Sequence, residues 1–197
     1  IASMPIFIAG LVLATFNSET LKVLAFPIGF LVFLTPPPLE AFYEAGTILS
    51  TTSSEVAYTF LKMIGLPVSL TTEYGPPAII LNLQSGAPIP FTVDLACSGM
   101  YSLTGFTVFS AFIAYISRGK PWKKAIIFLV GFPLVYSLNI ARIISLVLMG
   151  HTLGVEAALQ AFHLLGGLAL TFLGTVTLLI LSDKALKLSI FANEKTN

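Results

Sequence analysis

Apolar residues run along this chain in long blocks separated by short polar turns, not in the stripes of a soluble amphipathic helix. The first block, 1–16, falls short of the roughly 20 residues that cross a bilayer, as expected of a clipped span. Asn17-Ser18-Glu19-Thr20 is a polar turn in which Ser18 is the expected helix cap. A second block, 21–34, ends at Thr35-Pro36-Pro37-Pro38, which no helix continues through. Three further blocks, 98–117, 125–149 and 162–181, predict three clear spans. The chain starts with Ile and is apolar at once, which predicts missing upstream helices and no cleaved signal peptide.

The middle of the chain reads differently. Over 39–64, Glu40, Glu44, Glu55, Lys62 and the hydroxyl run 50–54 interrupt apolar residues, which predicts an interfacial amphipathic helix rather than a span. From Pro67 to Pro90 the texture is extended. Segments 78–83 and 89–93 flank Gln84-Ser85-Gly86-Ala87-Pro88, predicting a small β-hairpin. An open hairpin cannot lie exposed in hydrocarbon, so it belongs outside the lipid or against protein.

Composition agrees: the chain is 56% hydrophobic and 10% charged, with a mean hydropathy of +0.93. Soluble domains carry about 25% charged residues. The fold class is therefore an all-α polytopic membrane protein of about five transmembrane helices, with an extracytoplasmic amphipathic helix and hairpin. One cysteine excludes an intramolecular disulfide framework and any multi-cysteine metal site, and no cofactor or metal is expected. The net charge of +1 says less than its placement, and no nucleic-acid partner is expected.

Arg118-Gly119-Lys120-Pro121-Trp122-Lys123-Lys124 is cytoplasmic by the positive-inside rule, as are Lys22, Lys184, Lys187 and Lys195. Residues 36–97 must then begin and end outside, where Glu40, Glu44, Glu55, Glu73 and Asp94 lie. The expected layout is one integral-membrane domain: two spans in 1–35, an extracytoplasmic part in 36–96, three spans in 97–182 and a cytoplasmic tail in 183–197. The protein belongs in the plasma membrane.

At about 1.5 Å per residue, Cys97 lies roughly 31 Å from Arg118, Arg142 roughly 27 Å from Lys124, and His163 roughly 30 Å from Asp183. All three reach one layer at the outer boundary of a core about 30 Å thick. Each has an ordinary alternative. A lone cysteine is often a small buried apolar residue, Arg142 can snorkel, and His163 can cap a helix or face headgroups. His151 is a rival that reads as a loop residue. Together the three point to a site in which Cys97 is the nucleophile. His163 is then the general acid/base, and Arg142 stabilises thiolate or oxyanion. Asn139, one turn before Arg142, is placed to orient it. Asp94 is a candidate supporting residue and equally a solvated carboxylate. Ser98, Ser102 and Gly105 follow a small-residue spacing that lets helices approach, and Pro133 predicts a kink.

Ala96-Cys97-Ser98-Gly99, Asn139-Ile140-Ala141-Arg142-Ile143 and Phe162-His163-Leu164-Leu165-Gly166-Gly167 resemble, in order and sidedness, the exosortase/archaeosortase family over about residues 40–182. The resemblance implies a membrane cysteine protease-transpeptidase, with Cys97, Arg142 and His163 as its catalytic residues. Its partners would be exported proteins with a C-terminal motif, a transmembrane helix and a basic tail. Cleavage would occur on the extracytoplasmic face, and the acyl group would pass to an acceptor such as a lipid. The competing reading is a carrier or channel in which Arg142 binds an anionic substrate. It gives Cys97 no role.

Overall fold

The computed structural model describes residues 3–35, 38–73, 75–83, 87–95, 97–117, 120–165 and 168–184. At 128, 161–165, 168–171, 181–182 and 184 it describes the backbone alone. Pro36, Pro37, the hairpin turn at 84–86, Ala96, Arg118, Gly119, Gly166, Gly167, Lys187 and Lys195 lie outside the described residues. The chain divides into two units, 1–42 and 43–197.

In the first unit, α1 (Met4–Thr15) is followed by α2 (Ser18–Phe30), and a 3₁₀ turn, Leu31–Leu34, continues α2. The cap of α2 is Asn17, not Ser18: Asn17 Oδ1 accepts from the Thr20 N–H at 2.8 Å. Asn17 has an extended backbone while Ser18 is already helical, and only an extended residue swings its side chain over the first turn.

The second unit holds the body of α3 (Leu39–Met63), whose buried positions are Gly46, Ser50, Ser53, Ser54, Ala57 and Leu61. Their spacing of three and four residues is one helical face. The three serines of the hydroxyl run are therefore turned into the protein, while Thr52 is exposed. Ile48, Val56, Phe60 and Met63 point outward instead. The inversion works because each inward hydroxyl has a partner. Ser54 Oγ donates to the Ser50 carbonyl at 2.7 Å, Ser53 Oγ to the Tyr136 hydroxyl at 3.2 Å, and Ser50 Oγ to the Val93 carbonyl.

The expected hairpin is part of a three-stranded antiparallel sheet in the order β1 (Val68–Thr71), β2 (Ala78–Leu81), β3 (Ile89–Thr92). Ile79 pairs with Phe91 and Leu70 with Ile79. Pro90 has no N–H to give, which suits an edge strand. The central strand is the most buried, and it packs with Phe91 and Val93 against Ala57 and Leu61 of α3.

Four helices follow: α4 (Met100–Ile116), α5 (Pro121–Leu153), α6 (Val155–Leu165) and α7 (Leu168–Lys184). Proline at the first position starts α5, where its missing N–H costs nothing. The helix stays continuous through Pro133 and ends at Gly154. Its 33 residues reach about 50 Å, further than the expected 125–149, and they take in His151, an exposed residue of the last turn rather than a loop. Within the expected span 162–181, residues 162–165 are helical at the end of α6 and 168–181 are helical in α7.

One core joins the sheet, α3, α6 and the C-terminal half of α5 through Ile143 and Val147. A second joins α4, α7 and the N-terminal half of α5 through Leu103, Phe106, Ile127, Val135 and Leu178. Large apolar side chains such as Leu129, Phe132 and Phe172 point outward while serines are buried. That inside-out distribution fits a lipid surrounding. By length and composition, one described helix, Pro121–Leu153, qualifies alone as a span. A second arises only if Ser18–Leu34 and Leu39–Met63 count together.

Candidate active site

Residues 94–95 and 97–99 belong to the turn that leads from β3 into α4, and Asp94 organises it. Its carbonyl accepts from the N–H of Cys97 at 3.0 Å and of Ser98 at 2.8 Å. Its Oδ1 also accepts from the Cys97 N–H at 3.0 Å. Ser98, 0% exposed, donates from Oγ to the Leu95 carbonyl at 2.8 Å and accepts from the Met100 N–H at 3.2 Å. It thus satisfies the first N–H of α4 from just ahead of the helix, whose N-cap is Gly99. Gly99 makes the junction at φ +86, a conformation open to glycine at little cost. On α3, Gly46 leaves room for the Leu95 side chain, which a Cβ there would overlap.

The middle of α5 meets this turn. Asn139, 4% exposed, donates from Nδ2 to the Cys97 carbonyl at 3.0 Å. A Cβ at Gly99 would lie 2.8 Å from the Asn139 side chain. The Asn139–Cys97 bond holds the backbone of the cysteine turn. Arg142, one turn further along α5, is half-buried and lines a narrow crevice with Cys97, Thr92, Val93, Ile143 and Leu146. The crevice has about 20 Å³ of free room, enough for one water-sized group.

Cys97 lies in the turn ahead of α4, outside the helices. Burial pushes its thiol up from 9.0 to about 11; the Arg142 guanidinium pulls the other way, and Asp94 adds to the rise. At neutral pH only about one thiol in ten thousand is then thiolate. The guanidinium is placed to favour the anion, and the carboxylate to receive its proton.

Cys97, Arg142, Asn139, Asp94 and Ser98 thus come together from two parts of the chain. His163 does not share that status: its backbone lies near the end of α6 and its side chain is outside the described residues. Sequence reasoning missed two residues of α3: Gly46, which makes room for Leu95, and Ser50, which donates to the Val93 carbonyl just before the turn. Their only signal was membership of one helical face.

The transmembrane exosortase family matches this chain over residues 1–181. No curated protein and no solved structure matches it.

Proposed function

We propose, for a chain that belongs to the transmembrane exosortase family, a cysteine transpeptidase that cleaves C-terminal sorting signals of exported proteins through a thioacyl intermediate. The observation that carries the reading is the meeting of Cys97 and Arg142 in one crevice, from segments 45 residues apart. A carrier needs the arginine but not the thiol.

The reaction assigns a role to each group. Cys97 Sγ loses its proton to a base and attacks the scissile carbonyl carbon. The Arg142 guanidinium stabilises the thiolate and then the oxyanion. His163 returns a proton to the leaving amine. Asn139, Asp94 and Ser98 hold the cysteine turn. Because the thiol is mostly protonated when free, deprotonation belongs to the substrate complex, where closure strengthens the pull of Arg142.

Substrates end in a short motif, an apolar helix and a basic tail. The helix enters from the lipid and leaves the motif at Cys97 on the extracytoplasmic face. This sidedness follows from the basic loop at 118–124 and one crossing by α4. About five helices span the plasma membrane, α6 and α7 together making the last.

Co-expression with such a substrate tests the reading. Cys97→Ala is expected to abolish processing, and Arg142→Gln to lower it at least a hundredfold, the loss expected of a main oxyanion donor. Normal processing by Cys97→Ala overturns the enzyme reading.

A further inference from the structure

The sheet ends at β3, which leads straight into the cysteine turn, and two prolines fix the hydrogen-bond phase of that strand. In an antiparallel pair, residues alternate between facing their partner strand and facing away from it. Val93 gives its N–H to the Pro77 carbonyl at 2.8 Å, in step with the pairs Thr92–Ala78, Phe91–Ile79 and Pro90–Ile80. Phe91 and Val93 therefore face β2, while Thr92 and Pro90 turn their backbone groups away from it. Pro90 can take no other phase, having no N–H for β2. The Val93 carbonyl meets no N–H on Pro77 and accepts from Ser50 Oγ instead. Among the described residues no further strand pairs with β3, and no group takes up the Thr92 N–H or carbonyl.

The free edge of β3 thus presents one N–H, from Thr92, and two carbonyls, from Thr92 and Pro90. Both residues are exposed. Edge strands are commonly blunted against stray pairing, and here proline blunts the edge at Pro90 but not at Thr92. Thr92 also borders the thiol crevice, together with Cys97, Arg142 and Leu146. At about 20 Å³ that crevice admits no whole residue. A peptide on this edge lies along its mouth and can pass in only a carbonyl oxygen, towards Arg142.

We propose that β3 positions the substrate by strand addition: the extended segment leading to the scissile bond pairs with the free edge at Pro90 and Thr92. The proposal rests on the peptidase reading of Cys97 and adds how the site holds a peptide. Pairing of this kind takes its affinity from the main chain of an extended peptide. Direction follows from the chain path. β3 runs towards the cysteine turn and on into α4, the crossing helix of the proposed topology. A substrate whose apolar helix follows its motif runs the same way, so the pairing is parallel. One substrate residue gives its N–H to the Pro90 carbonyl and accepts from the Thr92 N–H with its own carbonyl. The residue two further on gives its N–H to the Thr92 carbonyl, and the chain beyond it reaches Cys97.

The test follows amide exchange by NMR on the whole chain in nanodiscs, with a peptide tethered to Cys97. The probe is acetyl-Thr-Val-Thr with a C-terminal cysteamine, joined to Cys97 as a mixed disulfide. In the free chain the Thr92 amide is expected to exchange at least about a hundredfold faster than the Phe91 and Val93 amides, which bond β2. The tethered peptide is expected to slow Thr92 at least about tenfold and to leave Val93 unchanged. Acetyl-Pro-Pro-Pro on the same tether has no N–H to give and is expected to leave Thr92 fast. So is mercaptoacetyl-Thr-Val-Thr amide, which runs the opposite way. Thr92→Val keeps the backbone edge and is expected to show the same slowing at position 92. A Thr92 amide already slow in the free chain, or no slowing by the first peptide, overturns the proposal. So does equal slowing by the proline or the reversed peptide, or its loss in Thr92→Val. The tether needs no acyl transfer, so a failure of the peptidase reading shows in the Cys97→Ala processing assay and not here.

Discussion

Gly99 holds φ +86 and abuts the Asn139 amide, so one position carries two constraints on the cysteine turn. Gly99→Ala meets both the left-handed backbone cost of about 1–2 kcal/mol and an overlap with Asn139. It is expected to lower thermal stability and to abolish processing. Asn139→Ala leaves the Cys97 carbonyl without this donor, a loss of about 1–3 kcal/mol for a buried group. A thermal melt in detergent checks both. The thiol offers a finer test through its ionisation. Its value of about 11 means that alkylation keeps rising with pH well past 9.0. Removing the cation in Arg142→Gln moves that rise to higher pH, and removing the carboxylate in Asp94→Asn moves it to lower pH. A pH–rate profile of Cys97 alkylation reads both, and shifts of the opposite sign would exclude the charge arrangement described.

Among the elements, α3 departs furthest from its sequence pattern. Glu, Lys and hydroxyl residues in one apolar segment read as a polar face, yet the serines face inward and the apolar residues outward. A hydroxyl can be buried wherever a carbonyl or phenol stands within reach, and periodicity cannot report such a partner. Tyr136 on α5 is the clearest case: its hydroxyl lies 2.6 Å from Thr52 Oγ1 and 3.2 Å from Ser53 Oγ. Tyr136→Phe removes that link and is expected to cost about 0.5–1.5 kcal/mol, typical of a hydrogen bond, with α3 otherwise intact. Gly46→Val is the sharper change, because the branched side chain collides with Leu95. Processing is expected to fall well beyond any loss in melting temperature, since the collision displaces the turn that holds Cys97.

Across the whole molecule, sidedness is the open physical question with a direct measurement. If the loop at 118–124 is cytoplasmic, a membrane-impermeant thiol reagent labels Cys97 from outside in intact cells opened only to the periplasmic or outer face. Labelling that requires access from the cytoplasm overturns the topology. Much of this protein was legible in residue order. Apolar blocks separated by basic turns call for lipid, because no soluble core can absorb them, and family membership agrees. The pairing of 78–83 with 89–93 was legible too, since strand periodicity and a Gly-Pro turn are local signals. Other features were not. The β1 strand needed β2 as its partner, and α3 needed the Val93 carbonyl and the Tyr136 hydroxyl before its serines could turn inward. Residue types and spacing determined the surrounding medium and nominated Cys97 with Arg142. Only the packing of α5 against the cysteine turn decided that the two share a crevice and that Asn139 fastens the backbone between them. Contacts between segments more than 40 residues apart depend on shape and hydrogen-bond geometry, which a one-dimensional pattern does not encode.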